Sequence, residues 1–186
     1  ILPDDGRQRL SWRSPLADSL PEILALRPQR VAVLATGDPL WYGVGRLFLQ
    51  HLSPAEVAIV PHVSAFQEAC GRLGWAPEEA IPLSAHGRPI SALRRHFQPG
   101  RRLLVLTSDG TGPAAIARCL VADGYGESRV TVLEEMGGTA ERRTETKAAA
   151  LDARFTDLNL VAIDLCAVAQ PRPSTPGLPD EAYEHD

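Results

Sequence analysis

The sequence predicts an α/β protein in which a mostly parallel sheet carries helices on its faces. Short apolar runs rich in β-branched residues, at residues 31–35 and 103–107, lack polar alternation, which is typical of strands buried on both faces. Each run is followed by a small polar loop and then by apolar residues at helical spacing. Alternation of strand, loop and helix indicates right-handed crossovers between parallel strands.

The first half of the chain contains three predicted strands and three predicted helices. The strands are expected at residues 31–35, 57–60 and 81–85, and the helices at 43–52, 64–73 and 89–97. Ser64 followed by Gln67 has the pattern of a capping box, and Gly74 stops the same helix.

The second half repeats the alternation after a break at Pro99-Gly100, which suggests a second α/β lobe. Strands are expected at residues 103–107, 130–134 and 158–165, with one more at 143–148. A helix at 113–123 begins with proline, which suits a first turn that needs no N–H donor.

Composition and charge exclude several classes of protein. The 186 residues include 19 Lys and Arg against 23 Asp and Glu, a net charge of −4 that disfavours a general nucleic-acid binder. No apolar run approaches the roughly 18 residues that span a bilayer. The chain is therefore expected to be a cytoplasmic globular protein, ending in a proline-rich linker at residues 169–186.

Three small polar loops are candidate ligand sites, since ligands of open α/β sheets bind at the carboxyl ends of strands. In the loop at residues 36–39, Gly37 allows close approach of a ligand and Asp38 can accept from a hydroxyl or an ammonium. Residues 61–65 lead into a helix N-terminus with free N–H groups, and residues 137–139 contain two glycines. Taken alone, each loop is more often a plain turn or a helix cap than a ligand site.

The segment at residues 84–89 offers two further candidates. His86 could serve as an acid or a base and Arg88 as an anion clamp, although a simple connecting loop would look the same. Five arginines between residues 88 and 102 form either a solvated helix face or a positively charged surface that attracts a polycarboxylate. There is no Walker loop, dinucleotide fingerprint, nucleophile elbow or zinc spacing, so the residues alone leave the reaction open.

Several of these segments resemble those of the tetrapyrrole methylases. Residues 31–45 resemble that family's Gly-Asp-Pro segment, residues 61–65 its Pro-Gly-x-Ser/Thr-Ala segment with His62 in place of glycine, and residues 134–141 its later glycine loop. The order and spacing agree over residues 30–166. Residues 64–67, 72–75, 86–89 and 106–113 are most similar to the branch that acts on precorrin-6Y.

The resemblance implies a two-lobed fold, with a mostly parallel sheet in the first lobe, a mixed sheet in the second and a cofactor cleft between them. The corresponding domains are residues 1–98, 99–168 and the linker 169–186. Residues 175–186 are similar to the bridge into a second, decarboxylating methyltransferase domain. The family's opening strand has no counterpart in the sequence, and a homodimer is expected.

The resemblance also implies an activity and a set of site residues. The expected reaction is transfer of a methyl group from S-adenosyl-L-methionine, leaving S-adenosyl-L-homocysteine, to a carbon of a reduced tetrapyrrole, with carbon 5 of precorrin-6Y in cobalamin biosynthesis the first choice. The implied cofactor-binding residues are Thr36, Gly37, Asp38, Trp41, Ser64, Ala65, Ser108 and Gly138. His86 as the base and Arg88 as the substrate anchor complete the set, with no metal site.

Three alternatives stay open at this point. One is a sister precorrin or uroporphyrinogen methyltransferase that acts on another ring carbon. A second is a ribosomal-RNA methyltransferase of the same fold, against which the net negative charge argues. The third is a non-catalytic fragment that binds the cofactor only within a larger enzyme.

Overall fold

A computed structural model of the chain describes residues 6–169. It divides into two compact units, Ile1–His62 and Val63–Asp186, each of which is considered by itself. The predicted lobe boundary at residue 98 stays a prediction, and the predicted linker lies outside the described residues beyond residue 169. No helix in the described part of the chain is long and apolar enough to cross a bilayer.

The first unit is built from short helices and loops. A 3-10 turn at Leu16–Ser19 leads into helix α1 at Leu20–Leu24, and helix α2 follows at Gly45–Leu49. Helix α2 confirms the predicted helix at residues 43–52 but is shorter.

The strands predicted at residues 31–35 and 57–60 are wrong, since residues 6–62 contain no strand. Leu34 is 64% exposed and Val60 78% exposed, so these apolar runs are not buried either. The predicted parallel sheet of the first lobe is therefore absent from these residues. Apolar, β-branched composition favours a strand, but a strand forms only where a neighbour supplies the hydrogen-bond ladder.

The second unit contains one mixed five-stranded sheet. Its strands are β1 at Ala80–Ser84, β2 at Arg102–Leu106, β3 at Arg129–Glu134, β4 at Arg142–Lys147 and β5 at Asn159–Asp164. Their spatial order is β1-β2-β5-β3-β4. The β1–β2 pair is parallel and the other three pairs are antiparallel, which confirms the predicted strand positions and a mixed sheet. The mostly parallel pairing expected from the alternation of strands and helices is wrong for this sheet, because β5 pairs antiparallel with both β2 and β3.

Helices cover both faces of this sheet. Helix α3 at Ala65–Leu73 packs on one face and helix α4 at Gly112–Ala122 on the other. Along β2, Leu103 and Val105 point into the core beneath α4, whereas Leu104 points into the core beneath α3. Because both faces are buried, β2 is apolar at every position from Leu103 to Leu106 instead of alternating.

The predicted helix boundaries are set by specific residues. The Gln67 backbone N–H donates to Ser64 Oγ at 3.3 Å, and the Ser64 N–H donates to Gln67 Oε1 at 2.9 Å, which confirms the capping box. Gly74 ends α3 with a φ of +66°, a conformation that favours glycine. The helix predicted at residues 89–97 is a 3-10 helix at Ile90–His96.

Candidate functional site

A cavity of about 180 Å³ lies at the edge of the sheet where the parallel strands β1 and β2 both end. Its lining includes Arg88, Ile90, Thr107, Ser108, Asp109 and Thr111. Gly112 and Ala115, in the first turn of α4, also line the cavity. A cavity at this edge matches the place where α/β sheets bind ligands.

Ser108 ties together the loops that follow β1 and β2. Its hydroxyl donates to the Ala85 carbonyl oxygen at 3.3 Å and accepts from the Gly87 N–H at 3.2 Å. The structure thus brings two predicted site residues, Ser108 and Arg88, to the same cavity. His86, in contrast, is exposed and is not among the residues that line it; its backbone N–H donates to Ser84 Oγ at 3.2 Å.

A polar network that the sequence analysis missed supports the floor of this cavity. The Thr107 hydroxyl donates to the Oδ1 atom of the buried Asn159 at 2.8 Å. The Asn159 amide in turn donates to the Asp109 carbonyl oxygen at 3.2 Å. The sequence did carry a signal for this network: Thr107 and Asn159 are polar residues at the ends of otherwise apolar strands. Polar groups buried at such positions need hydrogen-bond partners.

Asp109 contributes a carboxylate whose charge is stabilised locally. Its Oδ1 atom accepts from the Thr111 hydroxyl at 2.6 Å and from the Thr111 N–H at 2.7 Å. These hydrogen bonds lower the pKa of Asp109. Arg88 and the ionised Asp109 therefore both belong to the lining of the cavity.

Two glycines let the loop after β2 pack tightly. A Cβ atom on Gly110 would lie 2.0 Å from the Phe155 carbonyl oxygen, and one on Gly112 would lie 2.5 Å from Thr107 Cβ. The Phe155 N–H also donates to the Gly110 carbonyl oxygen at 3.0 Å. At Gly110 the loop after β2 consequently packs directly against the backbone of Phe155.

In the first unit, Asp38 organises the predicted cofactor loop as a turn. Its Oδ1 atom accepts from the Leu40 N–H at 2.8 Å and from the Trp41 N–H at 3.1 Å, while Oδ2 takes part in neither bond. Gly37 has a φ of +64°. Thr36 is exposed, and Trp41 is 39% exposed. Asp38 therefore organises the loop through one carboxylate oxygen, and the other oxygen lies outside these bonds.

The remaining predicted cofactor residues lie in the second unit. Ser64 is buried and caps α3, with Ala65 as the first residue of that helix. Gly138 lies in the loop after β3, where its N–H donates to the Glu135 carbonyl oxygen at 2.9 Å. Since β2 and β3 are both antiparallel to β5, Ser108 and Gly138 follow strands that end at the same edge of the sheet.

The arginine-rich segment is at least partly structural. Arg94 Nε lies 3.4 Å from Asp123 Oδ2, and Arg102 Nη1 lies 2.7 Å from Glu79 Oε2. Arg102 also lies over the Trp75 ring at 5.0 Å from its centre. Among the residues that the structure describes, no group of three or more His, Cys, Asp or Glu side chains is placed to hold a metal ion.

Comparison with known proteins identifies the family. Residues 13–152 match the model of the Tetrapyrrole (Corrin/Porphyrin) Methylases. The chain belongs to this family. The match confirms the resemblance inferred from the glycine loops.

Two relatives of known name differ in how much of their length the chain covers. The precorrin-6Y C(5,15)-methyltransferase [decarboxylating] of a Sinorhizobium species is 44% identical over 179 residues, which span 95% of the chain and 43% of the relative. The cobalt-precorrin-7 C(5)-methyltransferase of Salmonella typhimurium is 32% identical over 164 residues, which span 87% of the chain and 79% of the relative. The chain thus spans less than half of the first relative.

Solved structures confirm the fold. The precorrin-6Y methylase of Archaeoglobus fulgidus matches with a TM-score of 0.63 and 26% identity, covering 88% of the chain and 77% of the other protein. The uroporphyrin-III C-methyltransferase of Thermus thermophilus, complexed with S-adenosyl homocysteine, matches with a TM-score of 0.61 and 20% identity, covering 82% and 73%. The second likeness concerns the fold alone.

Proposed function

We propose that the chain transfers a methyl group from S-adenosyl-L-methionine to carbon 5 of a reduced tetrapyrrole, precorrin-6Y, in cobalamin biosynthesis. The difference in coverage between the two relatives carries this proposal. The chain spans 79% of a relative named for carbon 5 alone, but 43% of a relative named for carbons 5 and 15 and for decarboxylation. Carbon 5 is common to both names, so the shared segment is assigned that step.

The residues present fit a cofactor with hydroxyl, ammonium and adenine groups. Asp38 Oδ2 lies outside the turn bonds and can accept from a ribose hydroxyl or an ammonium. Gly37, Gly138 and the Ser108 loop offer backbone approach without bulky side chains. In this proposal Thr36, Trp41, Ser64 and Ala65 also contact the cofactor. The cofactor bound in a structural neighbour is consistent with this assignment.

The bound cofactor would supply an electrophilic methyl group, and the tetrapyrrole ring would supply the attacking carbon. The chain's own residues then contribute alignment and exclusion of water instead of a nucleophile. Arg88, in the cavity lining, anchors a substrate carboxylate, because a guanidinium pairs with a carboxylate through two hydrogen bonds. His86, two residues earlier in the same loop, accepts the proton released from the methylated carbon.

The proposal extends to the setting of the enzyme. We place it in the cytoplasm as a homodimer, joined to a second, decarboxylating methyltransferase domain. The share of the Sinorhizobium relative that the chain covers, 43%, supports the additional domain.

Calorimetric titration with S-adenosylhomocysteine tests the cofactor site. The unaltered protein should bind one molecule per chain, and Asp38→Ala should raise the dissociation constant about 10- to 100-fold, as expected for a hydrogen bond to a charged group. Asp38→Asn keeps an oxygen that can accept the turn hydrogen bonds but removes the charge. It therefore separates the role of Asp38 in the turn from its role in binding the cofactor. Asp18→Ala, at an exposed aspartate of the same unit, is the matched control.

The same titration with the tetrapyrrole substrate tests Arg88. Arg88→Ala should weaken substrate binding and leave the affinity for S-adenosylhomocysteine unchanged. Equal loss of both affinities would contradict the anchor role. A product methylated at another ring carbon would overturn the assignment to carbon 5.

A further inference from the structure

Gly138 lies in the loop after β3, and the carboxylate of Glu141, at the end of this loop, bonds back to its backbone. Glu141 Oε2 accepts from the Gly137 backbone N–H at 2.7 Å. The same carboxylate is held by Arg72, whose Nη2 donates to Oε2 at 2.8 Å and whose Nε donates to Oε1. A two-pronged contact of this kind fixes orientation as well as distance.

Arg72 is itself anchored on helix α3. Its Nη1 atom donates to the Glu68 carboxylate and, at 3.3 Å, to the Glu68 carbonyl oxygen one turn earlier. From β4, Arg143 Nη1 donates to the Arg72 carbonyl oxygen at 3.2 Å. Arg72 therefore joins three elements: the last turn of α3, the loop after β3 and the start of β4.

The charges of this cluster are mutually stabilised. The Arg72 hydrogen bonds, followed by that from the Gly137 N–H, lower the pKa of Glu141 to about 2. The Glu141 and Glu68 carboxylates in turn raise the pKa of Arg72. Both partners therefore stay ionised throughout the range of pH at which an enzyme of this kind would work.

The loop needs such support because its backbone is unusual. Glu135 has a φ of +49° and Gly137 a φ of +79°. A non-glycine residue in the left-handed region is unfavourable and persists only where the surroundings impose it. The Glu141 carboxylate therefore adds a side-chain contact to the backbone hydrogen bonds of this loop, such as that from the Gly138 N–H to the Glu135 carbonyl oxygen.

We propose that Arg72 and Glu141 are positioning residues for the cofactor: together they set the shape of the Gly137–Gly138 loop and fix it relative to helix α3. This inference rests on the proposed function, in which Gly138 and Ser64 contact the cofactor. Ser64 caps the first turn of α3 and Arg72 lies in the last, about 12 Å along a rigid helix. The pair therefore controls the separation of two cofactor-binding segments.

The location of the pair argues against a mainly stabilising role. The side chains of Arg72 and Glu141 are 28% and 32% exposed. Neither side chain belongs to an apolar cluster of the core, so replacing them opens no cavity there. Their replacement should leave the fold intact and change the affinity for the cofactor.

The test compares Arg72→Ala and Glu141→Gln with Arg129→Ala. Arg129 pairs with Asp164 at 2.7 Å at the opposite end of β3, so it is a matched arginine–carboxylate contact far from the loop. Arg72→Ala should raise the dissociation constant of S-adenosylhomocysteine about tenfold, equivalent to about 1.4 kcal/mol. The dissociation constant of Arg72→Lys should lie between those of the unaltered protein and Arg72→Ala, because lysine keeps the charge but lacks the two-pronged geometry. Arg129→Ala should bind S-adenosylhomocysteine like the unaltered protein.

Amide hydrogen exchange at Gly137 provides a second measurement that needs no cofactor. Glu141→Gln and Arg72→Ala should each speed this exchange several-fold, whereas Arg129→Ala should leave it unchanged. Unchanged exchange in both loop variants would overturn the inference directly.

If the unaltered protein binds S-adenosylhomocysteine and Arg72→Ala binds equally well, the inference fails while the proposed function stands. If the unaltered protein does not bind it, the proposed function and this inference both fail.

Discussion

Two apolar runs of similar composition end in different structures. Residues 31–35 and residues 103–106 are both short, uninterrupted and rich in leucine and valine. The second run forms most of strand β2, paired with β1 on one side and β5 on the other. The first run forms no strand, and its Leu34 is 64% exposed whereas Leu104 is 1% exposed.

The difference shows that an apolar run predicts a strand only together with its partners. A single strand buries little and leaves its backbone donors and acceptors without a ladder. In the second unit five strands satisfy one another and two helices cover the sheet. In the described residues of the first unit no strand is present to pair with residues 31–35 or 57–60.

The largest expected difference between the two runs is in amide hydrogen exchange. The amides of Leu103 and Val105 lie in β2, between two neighbouring strands, and should exchange only through global unfolding. They should exchange about 1,000-fold or more slowly than the amide of Val33, given a typical stability of at least about 5 kcal/mol. Comparable protection of Val33 would show that residues 31–35 are paired in solution and would remove the contrast.

A matched pair of leucines sharpens the comparison energetically. Leu104→Ala should lower the free energy of unfolding by about 2–5 kcal/mol, because it opens a cavity in the core beneath α3. Leu34→Ala should change it by less than about 0.5 kcal/mol, since the side chain is exposed. Urea titration of both variants measures the difference. An equal loss would mean that Leu34 is buried in the protein.

The smallest expected effect is an acid dependence that comes from Glu141 in the second unit. Glu141 has a folded-state pKa of about 2 against an ordinary value of 4.5. Its contribution is therefore fully present above about pH 4.5 and is lost as the pH falls towards 2. The stability difference between the unaltered protein and Glu141→Gln should shrink from pH 5 to pH 3. A constant difference over that range would contradict the depressed pKa.

The residues of the candidate site were predictable where each one closely follows a strand that the sequence also predicts. Ser108 and Arg88 follow two predicted strands, and the parallel pairing of those strands brings them to one cavity. Asp109 and Asn159 escaped prediction because they are 50 residues apart and meet only through the sheet. The same holds for Arg72 and Glu141, which are 69 residues apart.

The sequence by itself determined the local elements of the second unit, the capping box of α3 and the family. These features depend on neighbouring residues, whose spacing and conformational preferences are present in the chain itself. Tertiary structure alone decided the antiparallel pairing of β5, the absence of strands at residues 31–35 and 57–60, and the contact of Arg72 with the glycine loop. Each of these depends on distant partners, because hydrogen-bond ladders and ion pairs form between segments that only folding brings together.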